Sequence, residues 1–280
     1  RTIGDFGDRV VIVLNFCGHC PSAAAFMQKH AKAIHDRIED ERLPGVLVCL
    51  TPDTSAADLV AWTKANALPQ ALVGHDAKNR MNISTKNILQ NRLWLKGKEL
   101  GFLPFDAKAV DQAVGTAKEK GRHRYPVEGL AGDGLKLWWM VERERPQALE
   151  TLVRVAQGGA LKADAERIRA VVQPQVQAQV TELVAAAPAL SALEALEAIT
   201  PSAVALGIGA PAQARLKALT ADPALKNELE ARRIYRICEG MLASNKPKER
   251  ANGYANMAEL AKRMGDTAYG KKAAGIKPKE

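Results

Sequence analysis

The chain has 280 residues, enough for two cores of ordinary size, and its 47% apolar and 25% charged content excludes a disordered polypeptide. No apolar run approaches the length of a membrane span. The net charge of +9 comes from 40 basic and 31 acidic residues interleaved through both halves, with no aromatic-and-basic stripe, which speaks for a solvated surface and against a nucleic-acid partner.

In chain order, residues 1–8 carry two glycines and two aspartates and read as a lead-in. Val10-Val11-Ile12-Val13-Leu14-Asn15-Phe16 is a β-branched, near-continuous apolar run, the pattern of a strand buried on both faces of an open sheet. Cys17-Gly18-His19-Cys20 follows at once, and a helix is predicted over about residues 21–41. Pro21 stands in its first turn, where a missing N–H costs nothing, and Phe26, Ala33, Ile34 and Ile38 recur at helical spacing. Leu43-Pro44-Gly45 breaks the chain before a second buried strand, Val46-Leu47-Val48-Cys49-Leu50. Thr51-Pro52-Asp53-Thr54 is a turn and cap, and the next helix has Leu59, Val60 and Trp62 on one face. A less regular stretch, about residues 67–86, contains His75, which reads as a solvated loop histidine without a partner at known spacing. Two strands, Asn91–Leu95 and Glu99–Leu103, are predicted to form a hairpin through Lys96-Gly97-Lys98, and a helix is expected over about residues 106–120.

The chemistry is concentrated in the C-x-x-C. A strand-to-helix turn places it where free backbone N–H groups and the helix dipole favour an anion, so Cys17 should hold thiolate character more readily than a free cysteine. His19, as cation or hydrogen-bond donor, adds to that stabilisation and makes the disulfide a better oxidant. Cys20, one helical turn in, is the expected resolving thiol. Zinc would need about four ligands, and Cys49 and Cys238 stand alone with no paired histidine element, so neither metal nor cofactor is expected. A structural disulfide closing so short a loop would stabilise little. Cys49 and Cys238 are predicted to be buried, inert core thiols.

Strand, helix, strand, helix, hairpin, helix predicts a small mixed sheet with helices on both faces. This order, with a C-x-x-C ending the first strand, resembles the thioredoxin fold. The run from Val11 to Pro21 is similar to the redoxin branch of that superfamily, the alkyl hydroperoxide reductase/thiol-specific antioxidant proteins, and Gly18-His19 is the dipeptide of protein disulfide isomerase domains. The resemblance covers about residues 9–120. It implies thiol:disulfide exchange on protein thiols or disulfides in an extracytoplasmic compartment, and a substrate groove drawing on Gly18, Pro21, Leu89 and Gln90. Two departures accompany it. Phe16 directly precedes Cys17, and neither Leu89 nor Gln90 is the proline the family places there. Aligned on Asn-Phe, Asn15 takes the place of the family's buried proton-transferring acid.

After Gly121 the composition changes. The predicted division is a thioredoxin-like domain over residues 1–125, a linker over 126–134 and an all-α domain of six to eight helices over 135–280. In that half apolar residues recur at three and four positions, and the segments are cut by Gly158-Gly159, Pro188, Pro201, Gly207 to Pro211, Asp222-Pro223 and Lys246-Pro247. No consistent repeat period runs through them. Trp138-Trp139 are expected to pack the domain junction. The helical half carries no acid/base or nucleophile spacing, and client binding or assembly with a protein partner is the role left to it. Two functions are expected from these features: a thiol:disulfide oxidoreductase acting through Cys17, Cys20 and His19, or a non-catalytic thioredoxin-like scaffold whose helical domain serves as adaptor.

Overall fold

The computed structural model describes residues 6–15, 25–51, 72–75, 91–104, 106–145, 147–242, 244 and 246–276. The chain divides into two units, Arg1–Pro146 and Gln147–Glu280.

The first unit is built on a five-stranded mixed sheet, in the order β3-β2-β1-β4-β5. The strands are β1 (Val10–Asn15), β2 (Gly45–Thr51), β3 (Leu72–His75), β4 (Asn91–Leu95) and β5 (Lys98–Leu103). β1 is central, parallel to β2 and antiparallel to β4, and β2 is parallel to β3. This position explains the unbroken apolar run of β1, whose six residues are all buried. β3 replaces part of the loop expected around residues 67–86. Four residues including a glycine carry no readable period, and only pairing with β2 makes them a strand. The β4–β5 hairpin turns on Lys96 and Gly97, both at positive φ (51° and 75°), the two-residue turn whose twist matches its strands.

The chain is helical from residue 25, with a π-helical turn over Met27–Ala31 leading into α1 (Lys32–Asp40). α2 (Lys108–Lys120) starts after Asp106, whose Oδ1 accepts the Lys108 backbone N–H at 2.8 Å. α1 and α2 pack on each other and on β1 and β2, so the two lie on one face of the sheet. A Cβ at Gly45 would press on Ile38 at 3.3 Å and meet Ala117 at 3.5 Å, an ordinary contact, so α1 and α2 both lie over the start of β2. Phe6, Val11, Val13, Val46 and Val48 form the core of the other face, joined by Leu50 and Trp94. The expected helix bearing Leu59, Val60 and Trp62 falls outside the described residues.

The predicted boundary shifts. α3 (Gly132–Glu142), expected to open the helical domain, belongs to the first unit, and the division falls after Pro146 rather than across residues 126–134. Its polar groups are the reason. Glu142, 1% exposed, accepts the backbone N–H groups of Arg124 and Tyr125, each at 2.9 Å. The Trp138 indole N–H donates to the Tyr125 carbonyl (2.6 Å), and that of Trp139 to Glu39 of α1 (2.9 Å). Arg143 donates to the Gly45 carbonyl at 2.9 Å, and Arg9 donates to the Glu142 carbonyl at 3.3 Å. The paired tryptophans therefore bury α3 against its own unit, at the end of the sheet where β1 and β2 begin.

The second unit is helical: α4 (Ala148–Ala156), α5 (Lys162–Ala185), α6 (Leu190–Ala205), α7 (Ala210–Thr220), α8 (Lys226–Leu242), α9 (Pro247–Arg263) and α10 (Ala268–Ala274). Each packs chiefly on its neighbours in sequence. Arg232 of α8 makes two hydrogen bonds of 2.8 Å to Glu197 of α6, and Tyr269 of α10 donates to Glu194 at 2.5 Å. Asp222 caps the short turn Pro223–Leu225 by accepting the Ala224 N–H at 2.9 Å, as its Asp-Pro pattern predicts. Pro201, expected to end a segment, lies inside α6. It removes one backbone bond, and the buried stripe of Leu190, Leu193, Leu196 and Ala203 holds the helix on either side. No helix among the described residues is long and apolar enough to cross a membrane.

Candidate functional site

The residues on which sequence chemistry converges, Cys17, Gly18, His19, Cys20 and Pro21 with Leu89 and Gln90, lie outside the described residues. Their described neighbours define the frame. β1, β2 and β3 are parallel, so their carboxyl ends share one end of the sheet. There Asn15 stands opposite Leu50, and Thr51 opposite His75. Carboxyl ends of parallel strands are where open α/β sheets place their ligands. His75, read as a loop residue, is instead the last residue of β3. The cysteine motif begins two residues after Asn15, and the expected groove positions end one residue before Asn91.

Asn15 and Asn91 meet at this end. Asn15 is 1% and Asn91 0% exposed, and the Asn15 backbone N–H donates to Asn91 Oδ1 at 3.0 Å. The β1–β4 register runs through Val11 with Trp94, Ile12 with Leu93 and Val13 with Arg92. Beyond it the Asn91 side chain supplies the acceptor that the ladder no longer provides. Its Nδ2 has no hydrogen-bond partner among the described residues, a burial costing about 1–3 kcal/mol. Sequence reasoning missed Asn91. The available signal was a polar amide opening a strand whose last three residues, Leu93, Trp94 and Leu95, are apolar.

The helix that follows the motif has Phe26 and His30 in ring contact, centroids 4.8 Å apart, across its π-helical turn. Burial, with Lys29 assisting and Asp106 opposing, lowers the His30 imidazole below its ordinary value. Cys49, on β2 next to β1, is fully buried and free, and burial pushes its thiol up to about 12. Cys238 is likewise free and buried, with its thiol raised by burial. Both match the inert core thiols expected of them. Among the described residues no group of three or more His, Cys, Asp or Glu side chains is placed to hold a metal ion.

The opposite end of the sheet is closed by charge. Glu39 of α1 receives Arg145 Nη2 at 2.8 Å, and its other oxygen lies 2.9 Å from Arg143 Nε. Burial lowers the Arg143 guanidinium, and Glu39 opposes that shift. His123 packs edge-on to Trp138, ring centroids 4.8 Å apart, above buried Glu142. These groups tie α3 to the strand starts and leave the carboxyl ends of β1–β3 as the end from which the cysteine motif departs.

Compared with protein-family models, curated proteins and solved structures, the chain matches none of them.

Proposed function

We propose that the protein is a thiol:disulfide oxidoreductase of thioredoxin-like fold that uses Cys17 and Cys20 on protein thiols and disulfides. The observation that carries this reading is the place of Cys17-Gly18-His19-Cys20 in the chain. The motif follows the carboxyl end of the central strand β1 and precedes a helix under way by residue 25. The strand order supports the fold: β1 is flanked by parallel β2 and antiparallel β4, and β4 forms a hairpin with β5. Two helices on one face of the sheet are compatible with it.

In the reducing direction the Cys17 thiolate attacks one sulfur of a client disulfide. A Cys17–client disulfide forms, and the other client sulfur leaves as a thiolate. Cys20, after losing its proton, attacks Cys17, forming the Cys17–Cys20 disulfide and releasing the second client thiolate. Two electrons pass from the dithiol to the client, and the oxidising direction is the same sequence reversed. His19 stabilises the Cys17 thiolate. The helical unit presents clients or mediates assembly, and an extracytoplasmic compartment suits the chemistry.

A second reading, a non-catalytic scaffold, is favoured by one observation. The buried side chain at Asn15 is an amide, which cannot take up the proton that Cys20 must lose. One titration separates the two. The redox state of Cys17 and Cys20 is followed across glutathione buffers by mass after alkylation, with Cys49 and Cys238 as internal controls. A midpoint within about −120 to −270 mV supports exchange, whereas a pair locked as disulfide below about −300 mV supports the scaffold. Under the redox reading Cys17→Ser abolishes turnover and Cys20→Ser traps mixed disulfides with clients.

A further inference from the structure

The helical unit carries a groove that the cysteine chemistry does not use. α8 and α9 run antiparallel and meet closely at Gly253, where a Cβ would lie 3.0 Å from the Leu242 side chain and 3.1 Å from that of Met241. Toward Asn227 they leave two adjoining hollows of about 190 and 420 Å³, which share Ile234, Arg263 and Met264 in their walls. The spacing explains the floor. Ile234 and Ile237 of α8 stand three residues apart, Leu260 and Met264 of α9 four, so each pair lies on one face of its helix. Leu260 is buried, Ile234 and Met264 are half-buried, and Ile237 is 48% exposed. An apolar floor that leaves an isoleucine in water marks an interaction surface rather than a finished core.

The rim determines what the groove can take. From Lys226 to Glu280 basic residues outnumber acidic ones by 13 to 7. Yet among the described residues lining the groove stand three carboxylates, Glu230, Glu259 and Asp266, against one guanidinium, Arg263. Arg233 donates to Glu230 at 2.7 and 2.9 Å, and Glu259 lies 4.0 Å from Arg263. Even with Arg233 counted, the groove is acidic within a basic stretch of chain. From Asn227 to Cys238 it runs along about 16 Å of α8, or three helical turns.

We propose that the groove between α8 and α9 docks a short amphipathic helix of a partner protein, apolar on one face and rich in lysine or arginine on its flanks. Apolar side chains three and four residues apart seat on Ile234, Ile237 and Met264, and the flanking cations meet Glu230, Glu259 and Asp266. An acidic helix of the same shape meets the same carboxylates as repulsion, which gives the groove its selectivity. Met264 is unbranched and adapts to the apolar side chain presented to it. The proposal builds on the partner-binding role given to this unit above and rests on none of the cysteine chemistry.

The test uses the full chain in reducing buffer and a fluorescein-labelled peptide of about twelve residues, with leucine at helical spacing on one face and lysine on the flanks. Binding is followed by fluorescence anisotropy, and a matched peptide with glutamate in place of lysine is the charge control. The lysine peptide is expected to bind with micromolar affinity, and the glutamate peptide at least about tenfold more weakly. Ile237→Ser, at an exposed position, is expected to weaken the lysine peptide by about tenfold. Glu259→Lys is expected to weaken it by about fivefold, an effect that shrinks as salt rises. Glu182→Lys, the same charge change on the exposed surface of α5, leaves binding unchanged. Equal affinity in the parent and all three variants, or equal affinity for the two peptides, overturns the proposal. So does sedimentation that finds the parent chain a dimer and Ile237→Ser a monomer, because the groove then belongs to a second copy. The glutathione titration of Cys17 and Cys20 is read separately. A groove that ignores the peptide therefore overturns this inference alone, and a locked disulfide overturns the oxidoreductase reading alone.

Discussion

Replacing Glu142 by alanine should destabilise the sheet unit by about 3–5 kcal/mol, the range for removing one partner from a buried charged network. The carboxylate is 1% exposed and accepts two backbone N–H groups, those of Arg124 and Tyr125, at 2.9 Å each. Alanine takes the acceptor from both N–H groups, the part-buried one of Arg124 and the buried one of Tyr125, and losing the partner of the buried donor alone costs about 1–3 kcal/mol. It also removes the negative charge that opposes the burial-lowered ionisation of Arg9. Against a total stability of about 5–15 kcal/mol the loss is large enough to bring the unit close to unfolding. The readout is unusually clean, because the 4 tryptophans of the chain, Trp62, Trp94, Trp138 and Trp139, all precede residue 147. Urea unfolding followed by tryptophan fluorescence therefore reports the sheet unit alone, and the helical unit is followed separately by circular dichroism. Glu119→Ala on the exposed side of α2 is the control, expected within about 0.5 kcal/mol of the parent. A loss below about 1 kcal/mol for Glu142→Ala, or one equal to the control, would refute the assignment of α3 to the sheet unit through its buried polar contacts.

Other consequences are as direct. With its thiol pushed up to about 12, Cys49 is ionised in only about one molecule in 10⁴ at pH 8. It should resist iodoacetamide in the native protein and react fully in urea, as mass spectrometry of the two samples would show. Tyr269 has its hydroxyl raised to about 12, first by burial and then by its hydrogen bond to Glu194. A folded value above the unfolded one of about 10 means the neutral phenol stabilises the fold below pH 10, and this is lost as pH rises toward 12. Melting of the helical unit should fall across that window. Tyr269→Phe should lower stability at neutral pH by about 1.5–3 kcal/mol and flatten the fall, and an unchanged pH profile in the variant would exclude Tyr269 as its source.

Local chemistry carried much of this structure. β1, β2, the hairpin strands, α2 and the Asp222 cap are legible because each draws its signal from residues a few positions apart: an apolar run, a period of 3.6, a Lys-Gly turn at positive φ, an Asp-Pro start. The C-x-x-C is a local pattern too, so the redox hypothesis was available before any fold. What only the tertiary structure decided involves partners far apart in sequence. β3 is four residues that become a strand through pairing with β2. α3 joined the sheet unit because Trp139 and Arg145 reach Glu39, about a hundred residues earlier, and Arg143 reaches Gly45. Asn91 accepts the Asn15 N–H across 76 positions. A helix or strand leaves a period in the sequence because its geometry repeats. A single hydrogen bond between distant residues repeats nothing, and only the folded chain shows which amide or carboxylate it binds.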